Sequence, residues 1–529
     1  MQQHEAAVND VPVNEADAKQ FAGLSPSSGS ARLVHWITFL LLLVAAIAVR
    51  LKCLTLKPFW SDECFSVAFA GIGWGSLLRL QWWREANMSL YYLLLRIWLH
   101  FGQSEFFIRS LSVLIAVATL PAIYWLARML YDRRVALIAT ALLTFNAYHV
   151  RYSQEARSYT LFVLLATLSS GFLVALLKAP TRHNKVGYVV TSTLAVYAHF
   201  YALLLVLAHW LALRWLGAPG RANDARHVEI SAQLRRSWKI ISIGVLPVLI
   251  FVVKTGAGPI HWIPRPGIEE LLRFAIYLTD GIPLIYLAAC LLALVPLRKK
   301  LFARSNTWET WRVYFLFIWL VFPILLTVVL SFARPVFLPR YMVFCIPALL
   351  ILAAAGLASV RPAWLSGTCV VLILLLSARF VPFAYSHDFD TERDASGAAT
   401  GFILDHTQPG DAVIFHIAAT RVPYEFFRSL RAGENTGSQS LTGQLGPEIL
   451  FPHNSAGLDY RDFTGKPTED FVRTVAPGHP RVWVMLMNNS RDGNLDATTL
   501  MLTKVLPEMY PKVLRWQFPR VELRLYSKQ

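Results

Sequence analysis

Tyr152-Ser153-Gln154-Glu155-Ala156-Arg157-Ser158-Tyr159 stands between two long apolar runs, about 134–150 and 158–177. An acid and a base two residues apart at the edge of an apolar segment are costly to place there for packing alone. A second acidic site, Asp62-Glu63, follows the first apolar run, about 34–53. If both sites face one side of a bilayer, the chain reads as a membrane enzyme rather than a plain helical bundle.

The composition supports a membrane setting. Hydrophobic residues make up 55% of the chain and charged residues 16%, and mean hydropathy is +0.45. That charge content is low for a soluble protein. A helix needs roughly 20 apolar residues to cross the hydrocarbon core. Working outward from the 152–159 turn, the sequence predicts eleven spans. The remaining ones are about 108–130, 187–198 with 200–216 as a tight pair, 240–254, 282–297, 312–332, 341–359 and 364–381.

The net charge of +17 invites a nucleic-acid reading. Its distribution argues against one. Basic residues gather in alternate loops, at Arg128, Arg133 and Arg134; Lys178, Arg182 and Lys185; Arg221 to Lys239; Arg298 to Arg304; and Arg361. Eleven spans with the N-terminus inside put all of these loops in the cytoplasm, as the positive-inside rule requires. The same topology puts Asp62-Glu63, Gln154 to Arg157, the loops 255–281 and 333–340, and everything after 382 outside. Residues 1–32 read as a disordered cytoplasmic tail. Ala46-Ile47-Ala48 resembles a signal-peptidase site, but the acidic tail before the apolar run argues for a retained span.

Residues 33–383 form the expected transmembrane unit. Its first outer loop, 54–107, is apolar and rich in Trp, which suits helices lying in the membrane interface. After 384 the spanning runs end. Asp411 to His416, Arg481 to Leu486 and Val521 to Leu525 read as strands. Segments near 395–406, 420–430 and 496–507 read as helices, and 431–479 as mostly loop. The expectation is a polytopic α-helical membrane protein with a small extracytoplasmic α/β domain over 384–529. None of the five cysteines lies after Cys369, and no metal-thiolate spacing occurs.

Adjacent side chains point in different directions, so Asp62 and Glu63 suit two separate jobs. One can act as a general base on an acceptor hydroxyl while the other orients substrate, binds a cation or holds a basic residue. The bland alternative is a solvated pair opening an interfacial helix behind Ser61. For Glu155 and Arg157 the alternatives are a local pair capping the next helix, or a carboxylate and a phosphate-holding guanidinium facing the same cavity. Arg340 can snorkel to headgroups or grip a lipid-linked phosphate. Lys254, His261, Arg265 and Arg273 are further outer-face cations, and His199 and His209 read as core histidines.

Taken in order, several motifs resemble a known family. They are Trp60-Ser61-Asp62-Glu63, Leu90-Tyr91-Tyr92-Leu93-Leu94-Leu95, Ser104 to Ser110, Tyr152 to Tyr159 and Pro339-Arg340-Tyr341. The set resembles the GT-C glycosyltransferases, in particular the bacterial branch of glycosyltransferase family 39, akin to protein O-mannosyltransferases and the lipid A aminoarabinose transferase. The resemblance covers about 34–380. It implies a sugar donor carried on a polyprenyl phosphate in the bacterial inner membrane, an inverting transfer to a hydroxyl acceptor at the outer face, and Asp62 as base. Glu63 and Glu155 join Asp62 as catalytic candidates. Arg157, Arg340, Tyr341, Arg265, Tyr91 and Asn87 become candidates for binding substrate or the donor phosphate. The family pattern has His-Pro-Pro where this chain has Asn87-Met88-Ser89, which leaves the acceptor type open. No cofactor is required by the sequence, and a divalent metal is compatible with it. The rival classes are a lipid or sugar transporter and a non-catalytic envelope-assembly protein. A transporter places ionisable groups near the bilayer midplane, whereas 36–49, 160–177 and 341–359 carry no charged side chains.

Overall fold

In a computed structural model of the chain, the described residues are 29–216, 225–256, 263, 265–298, 307–386, 393–433, 445–455, 457–491 and 494–528. His261 lies outside them.

The chain enters with helix α1 (Gly29–Leu51). Most of its large apolar side chains, such as Val34, Leu40, Leu41 and Val44, are exposed, as on a helix that faces lipid. The first loop folds into three short helices, α2 (Ser61–Gly71), α3 (Trp74–Trp83) and α4 (Ser89–Trp98). Trp74, Trp82 and Trp83 remain exposed on α3, the arrangement expected of aromatic rings at a membrane boundary.

Helix α5 (Glu105–Leu130) starts where Ser104 Oγ accepts the Phe107 amide, an N-cap that satisfies an otherwise orphaned donor. Asp132 caps α6 (Arg133–Phe145) in the same way, through the Val135 amide. The expected span 134–150 is interrupted at Asn146. Its extended backbone ends α6, and its side chain caps α7 (Ala147–Ser153) through the His149 amide. Next come α8 (Tyr159–Lys178), α9 (Arg182–Ala198) and α10 (Ala202–Leu216).

Two further breaks follow, one inside the expected span 240–254 and one just ahead of the expected span 282–297. Helices α11 (Ala225–Gly244) and α12 (Leu246–Thr255) meet at 48°, with Pro247 opening the second. Helices α13 (Ile268–Leu278) and α14 (Pro283–Leu292) meet at 67°. There Asp280 and Gly281 adopt φ of +55° and +79°, a turn that a continuing helix cannot make. The unit closes with α15 (Trp308–Ala333), a 3₁₀ segment Pro339–Cys345 that runs into α16 (Ile346–Ser359), and α17 (Ala363–Tyr385).

Among the described residues, six helices are long and apolar enough to cross a membrane, or eight if each bent pair is one span. The chain is thus a multi-pass membrane protein by length and composition of its helices. An eleven-span count also needs α6, α9 and α10, which have 13, 17 and 15 residues.

After α17 the chain builds a mixed sheet of five strands in the order β2-β1-β3-β7-β6. These are β1 (Ala412–Phe415), β2 (Glu448–Phe451), β3 (Arg481–Met487), β6 (Lys512–Phe518) and β7 (Val521–Ser527). A two-stranded ribbon of β4 (Ser490–Arg491) and β5 (Asn494–Leu495) lies apart. Strand β1 runs parallel to β2 and β3, while β7 is antiparallel to β3 and β6. Successive side chains alternate between faces. Val413, Phe415, Trp483 and Met485 pack with α18 (Ser396–His406) and with Tyr424 of α19 (Arg421–Ala432). Ile414, Val482 and Val484 pack instead with α20 (Glu469–Val475) and α21 (Ala497–Met509). Within 431–479, expected to be mostly loop, the described residues include β2 and α20. Both are too short for periodicity to reveal.

Candidate active site

The two acidic residues that open α2 diverge, as neighbours one residue apart on a helix must. Glu63 turns into the core. Its carboxylate accepts from Arg109 Nε at 2.8 Å and Nη2 at 2.7 Å, from the Ala156 amide at 2.9 Å and from Arg393 Nη1 at 3.2 Å. Burial alone would raise its pKa, but Arg109 first, then Arg393 and the Ala156 amide, hold it below the usual carboxylate value. Arg109 also donates to the carbonyls of Leu54 and Lys57, fixing the chain that leads into α2.

Asp62 turns the other way, onto the wall of a cavity of about 1080 Å³. There its Oδ2 faces Arg157 Nη2 at 3.6 Å and Arg340 Nη2 at 3.8 Å. Arg157 comes from the turn between α7 and α8, and donates to the Asp62 carbonyl and to Ser66 Oγ. Arg340 comes from the 3₁₀ segment after α15. Although burial opposes it, Asp62 and neighbouring tyrosines push the Arg157 pKa upward, so this guanidinium stays charged.

The cavity wall also carries Asn87, Tyr92, Tyr201, Tyr341 and Lys254, with apolar side chains from α10, α12 and α15. Asn87 accepts the Phe200 amide at 3.0 Å, and Lys254 Nζ lies 3.0 Å from the centre of the Trp83 ring. The structure thus brings Asp62, Arg157, Arg340, Tyr341 and Asn87 into one cavity.

Four other sequence candidates lie elsewhere. Glu63 is in the buried network just described. Glu155 is buried beside it and accepts from Arg151 Nη2 at 2.7 Å and Arg393 Nη2 at 3.1 Å. Both acids are consumed by ion pairs because a buried carboxylate without a partner is strongly unfavourable. Tyr91 points inward, its hydroxyl 2.8 Å from Ser112 Oγ, while its neighbour Tyr92 reaches the cavity. Arg265 is exposed and is not part of the cavity wall. His209 sits between Ser170 and Tyr188 as a core histidine with partners on both ring nitrogens.

Two residues of this region escaped sequence reasoning. Glu85 lines the cavity in the short stretch between α3 and α4. Burial foremost, with a contribution from the Asp62 charge, raises its pKa to about 7, against the pull of Arg157. Its sequence context, Arg84-Glu85-Ala86, carries no motif. Arg393 joins Glu63 and Glu155 from more than two hundred residues away, a pairing that no local pattern announces.

Among the described residues, no group of three metal-ligating side chains lies on the cavity wall. Asp62 and Glu85 are the carboxylates on its described wall. Among the described residues, the grouping of three side chains close enough to share an ion is His453, Asp459 and Asp462. There Arg421 Nη1 already lies 3.0 Å from Asp462 Oδ1 and donates to the His453 carbonyl, so a guanidinium occupies the position a cation would take.

No protein-family model matches the sequence, and no curated protein sequence does. Solved structures do match. The crystal structure of ArnT from Cupriavidus metallidurans in the apo state is 14% identical over 94% of this chain and 99% of that one, with a TM-score of 0.59. The same protein bound to undecaprenyl phosphate matches at 13% identity over 93% and 98% of the two chains, with a TM-score of 0.50. An oligosaccharyltransferase from Archaeoglobus fulgidus, tethered to an acceptor peptide, matches at 10% identity over 73% and 63%, with a TM-score of 0.46. Over 94% of its length, this chain shares its fold with ArnT.

Proposed function

We propose that the protein is an inverting membrane glycosyltransferase. In this reading it moves a sugar from a polyprenyl-phosphate donor to a hydroxyl of an envelope lipid, glycan or protein. The observation that carries the proposal is a half-buried carboxylate, Asp62, set against two guanidinium groups, Arg157 and Arg340, on one cavity wall. The likeness in fold to ArnT bound to undecaprenyl phosphate supports it.

The proposed step is a single displacement. Asp62 takes the proton of the acceptor hydroxyl, whose oxygen attacks the anomeric carbon. The bond from that carbon to the phosphate oxygen breaks, and the lipid phosphate leaves with the electron pair. Arg157 and Arg340 neutralise the charge that develops on it. The apolar wall from α10, α12 and α15 receives the start of the prenyl chain and excludes water that would otherwise hydrolyse the donor. Glu63 and Glu155 act at one remove, by fixing the backbone that carries Asp62 and Arg157. The same proposal places eleven spans in a bacterial inner membrane, with the N-terminus in the cytoplasm and the cavity and the C-terminal sheet outside.

The test uses purified protein, a polyprenyl-phosphate sugar and an extract of envelope acceptors, with the product followed by mass spectrometry. Asp62→Asn is expected to lower kcat by about 10²-fold or more, the usual worth of a general base, with the thermal transition retained. Arg340→Ala is expected to weaken donor binding by about tenfold or more, as for loss of a charge-assisted phosphate contact, with little change in melting temperature. Wild-type transfer by the Asp62 variant sinks the proposal.

A further inference from the structure

Arg393 and Asp394, which follow α17 in the chain, reach back to the candidate site. Arg393 Nη1 donates to the Pro58 carbonyl at 2.9 Å and to Glu63 Oε2 at 3.2 Å, while its Nη2 donates to Glu155 Oε1 at 3.1 Å. One guanidinium therefore bridges the chain carrying Asp62 to the turn carrying Arg157. Asp394 continues the contact. Its Oδ2 accepts from the Ser61 amide at 3.0 Å and from Ser61 Oγ at 2.5 Å.

Helix α2 has no cap of its own, since Trp60 at the N-cap position makes no side-chain bond. A carboxylate from a distant part of the chain fills that role, where the helix dipole also favours it. The Trp60 ring lies 5.6 Å from both the Arg393 and the Arg340 guanidinium carbons. The same segment is tied to the sheet, because the Ala395 amide donates to the carbonyl of Pro519, between β6 and β7.

We infer that Arg393 and Asp394 are positioning residues of the transfer reaction. They hold the Asp62 and Arg157 backbones in register, so that the active centre is incomplete without the C-terminal sheet. This rests on the transfer reading above. Neither side chain lines the cavity, so both act through the residues they hold. Glu63 keeps Arg109 and Glu155 keeps Arg151 when Arg393 is lost, which leaves the fold able to form while the register between the two segments loosens.

The experiment compares full-length wild type with Arg393→Met, Arg393→Lys and Asp394→Asn. It measures kcat, undecaprenyl phosphate affinity, melting temperature, and hydrogen exchange over 58–66 and 153–158. Arg393→Met is expected to lower kcat by about 10²-fold, the effect of a misplacement of roughly 1 Å. Undecaprenyl phosphate affinity should hold within about threefold, and exchange in the two segments should rise about tenfold or more. Arg393→Lys should recover part of kcat. The nearly isosteric Asp394→Asn should raise exchange chiefly over 58–66, and it serves if Arg393→Met does not fold. Unchanged exchange in both segments overturns the inference, as does a kcat loss that only tracks the unfolded fraction. If wild type itself transfers no sugar, the functional reading fails, and the exchange data still decide whether these residues hold the two segments.

Discussion

At the scale of single residues, the site turns on how neighbouring carboxylates are separated. Asp62 and Glu63 share a helix turn, yet one meets the cavity and the other a ring of donors. Glu85 is half-buried on the cavity wall, and burial first, then the Asp62 charge, raises its pKa from an ordinary 4.5 to about 7. The sign of its effect on stability follows. With the folded value above the unfolded one, its stabilising contribution is complete below pH 4.5 and is lost as pH rises through 7. Glu85→Gln is therefore expected to melt about 2–4 °C above wild type at pH 8 and alongside it at pH 4. A pH series of thermal melts checks this. The position of Asp62 could be read from its place after the first apolar run. The place of Glu85 on the cavity wall could not, since the rest of that wall comes from distant helices, α10, α12 and α15 among them.

At the scale of elements, helix boundaries follow local chemistry wherever a cap is present. Ser104, Asp132 and Asn146 each accept an amide from the first turn of the helix they start, and each lies in the sequence as a recognisable N-cap residue. The apolar run across 134–150 hides the Asn146 break, because hydropathy averages over a single polar residue. Close helix packing is another matter. Gly356 on α16 lies where an added Cβ would stand 1.7 Å from the Ala289 carbonyl oxygen on α14. Small residues allow such approach between membrane helices. Gly356→Ala is expected to cost about 1–3 kcal/mol through overpacking. Gly367→Ala on α17, with nothing within 4 Å of the added Cβ, should be neutral or stabilising by about 0.4–1 kcal/mol. Thermal melts of the two variants in the same detergent distinguish them.

At the scale of the whole molecule, the sheet is packed onto the loops beside the cavity. Phe59, just before α2, stacks on Phe426 of α19 with ring centres 5.1 Å apart and planes within 5°. Phe463 packs against Phe69 and Phe65 of α2 and also lines the cavity. Phe426 belongs to the same buried cluster as the transmembrane core. Phe426→Ala is expected to cost about 3–5 kcal/mol, as for other buried aromatic truncations, and to do so in the melting of the membrane unit as well as of the sheet. Differential calorimetry or exchange over 54–71 checks whether the two parts lose stability together.

The apolar runs, the alternating basic loops and the motif residues by themselves determined a multi-pass helical protein and drew attention to Asp62, Arg157 and Arg340, because hydropathy, charge placement and helix caps are local properties of the chain. Only the tertiary structure decided which acids meet the cavity. Glu63 and Glu155 carry the same charge as Asp62, and their neighbours in sequence do not distinguish them. What separates them is Arg109 and Arg393, which arrive from other segments and satisfy them in the core beside the local pair of Glu155 with Arg151. A buried carboxylate is stable only where such donors converge, and convergence across hundreds of residues belongs to the fold.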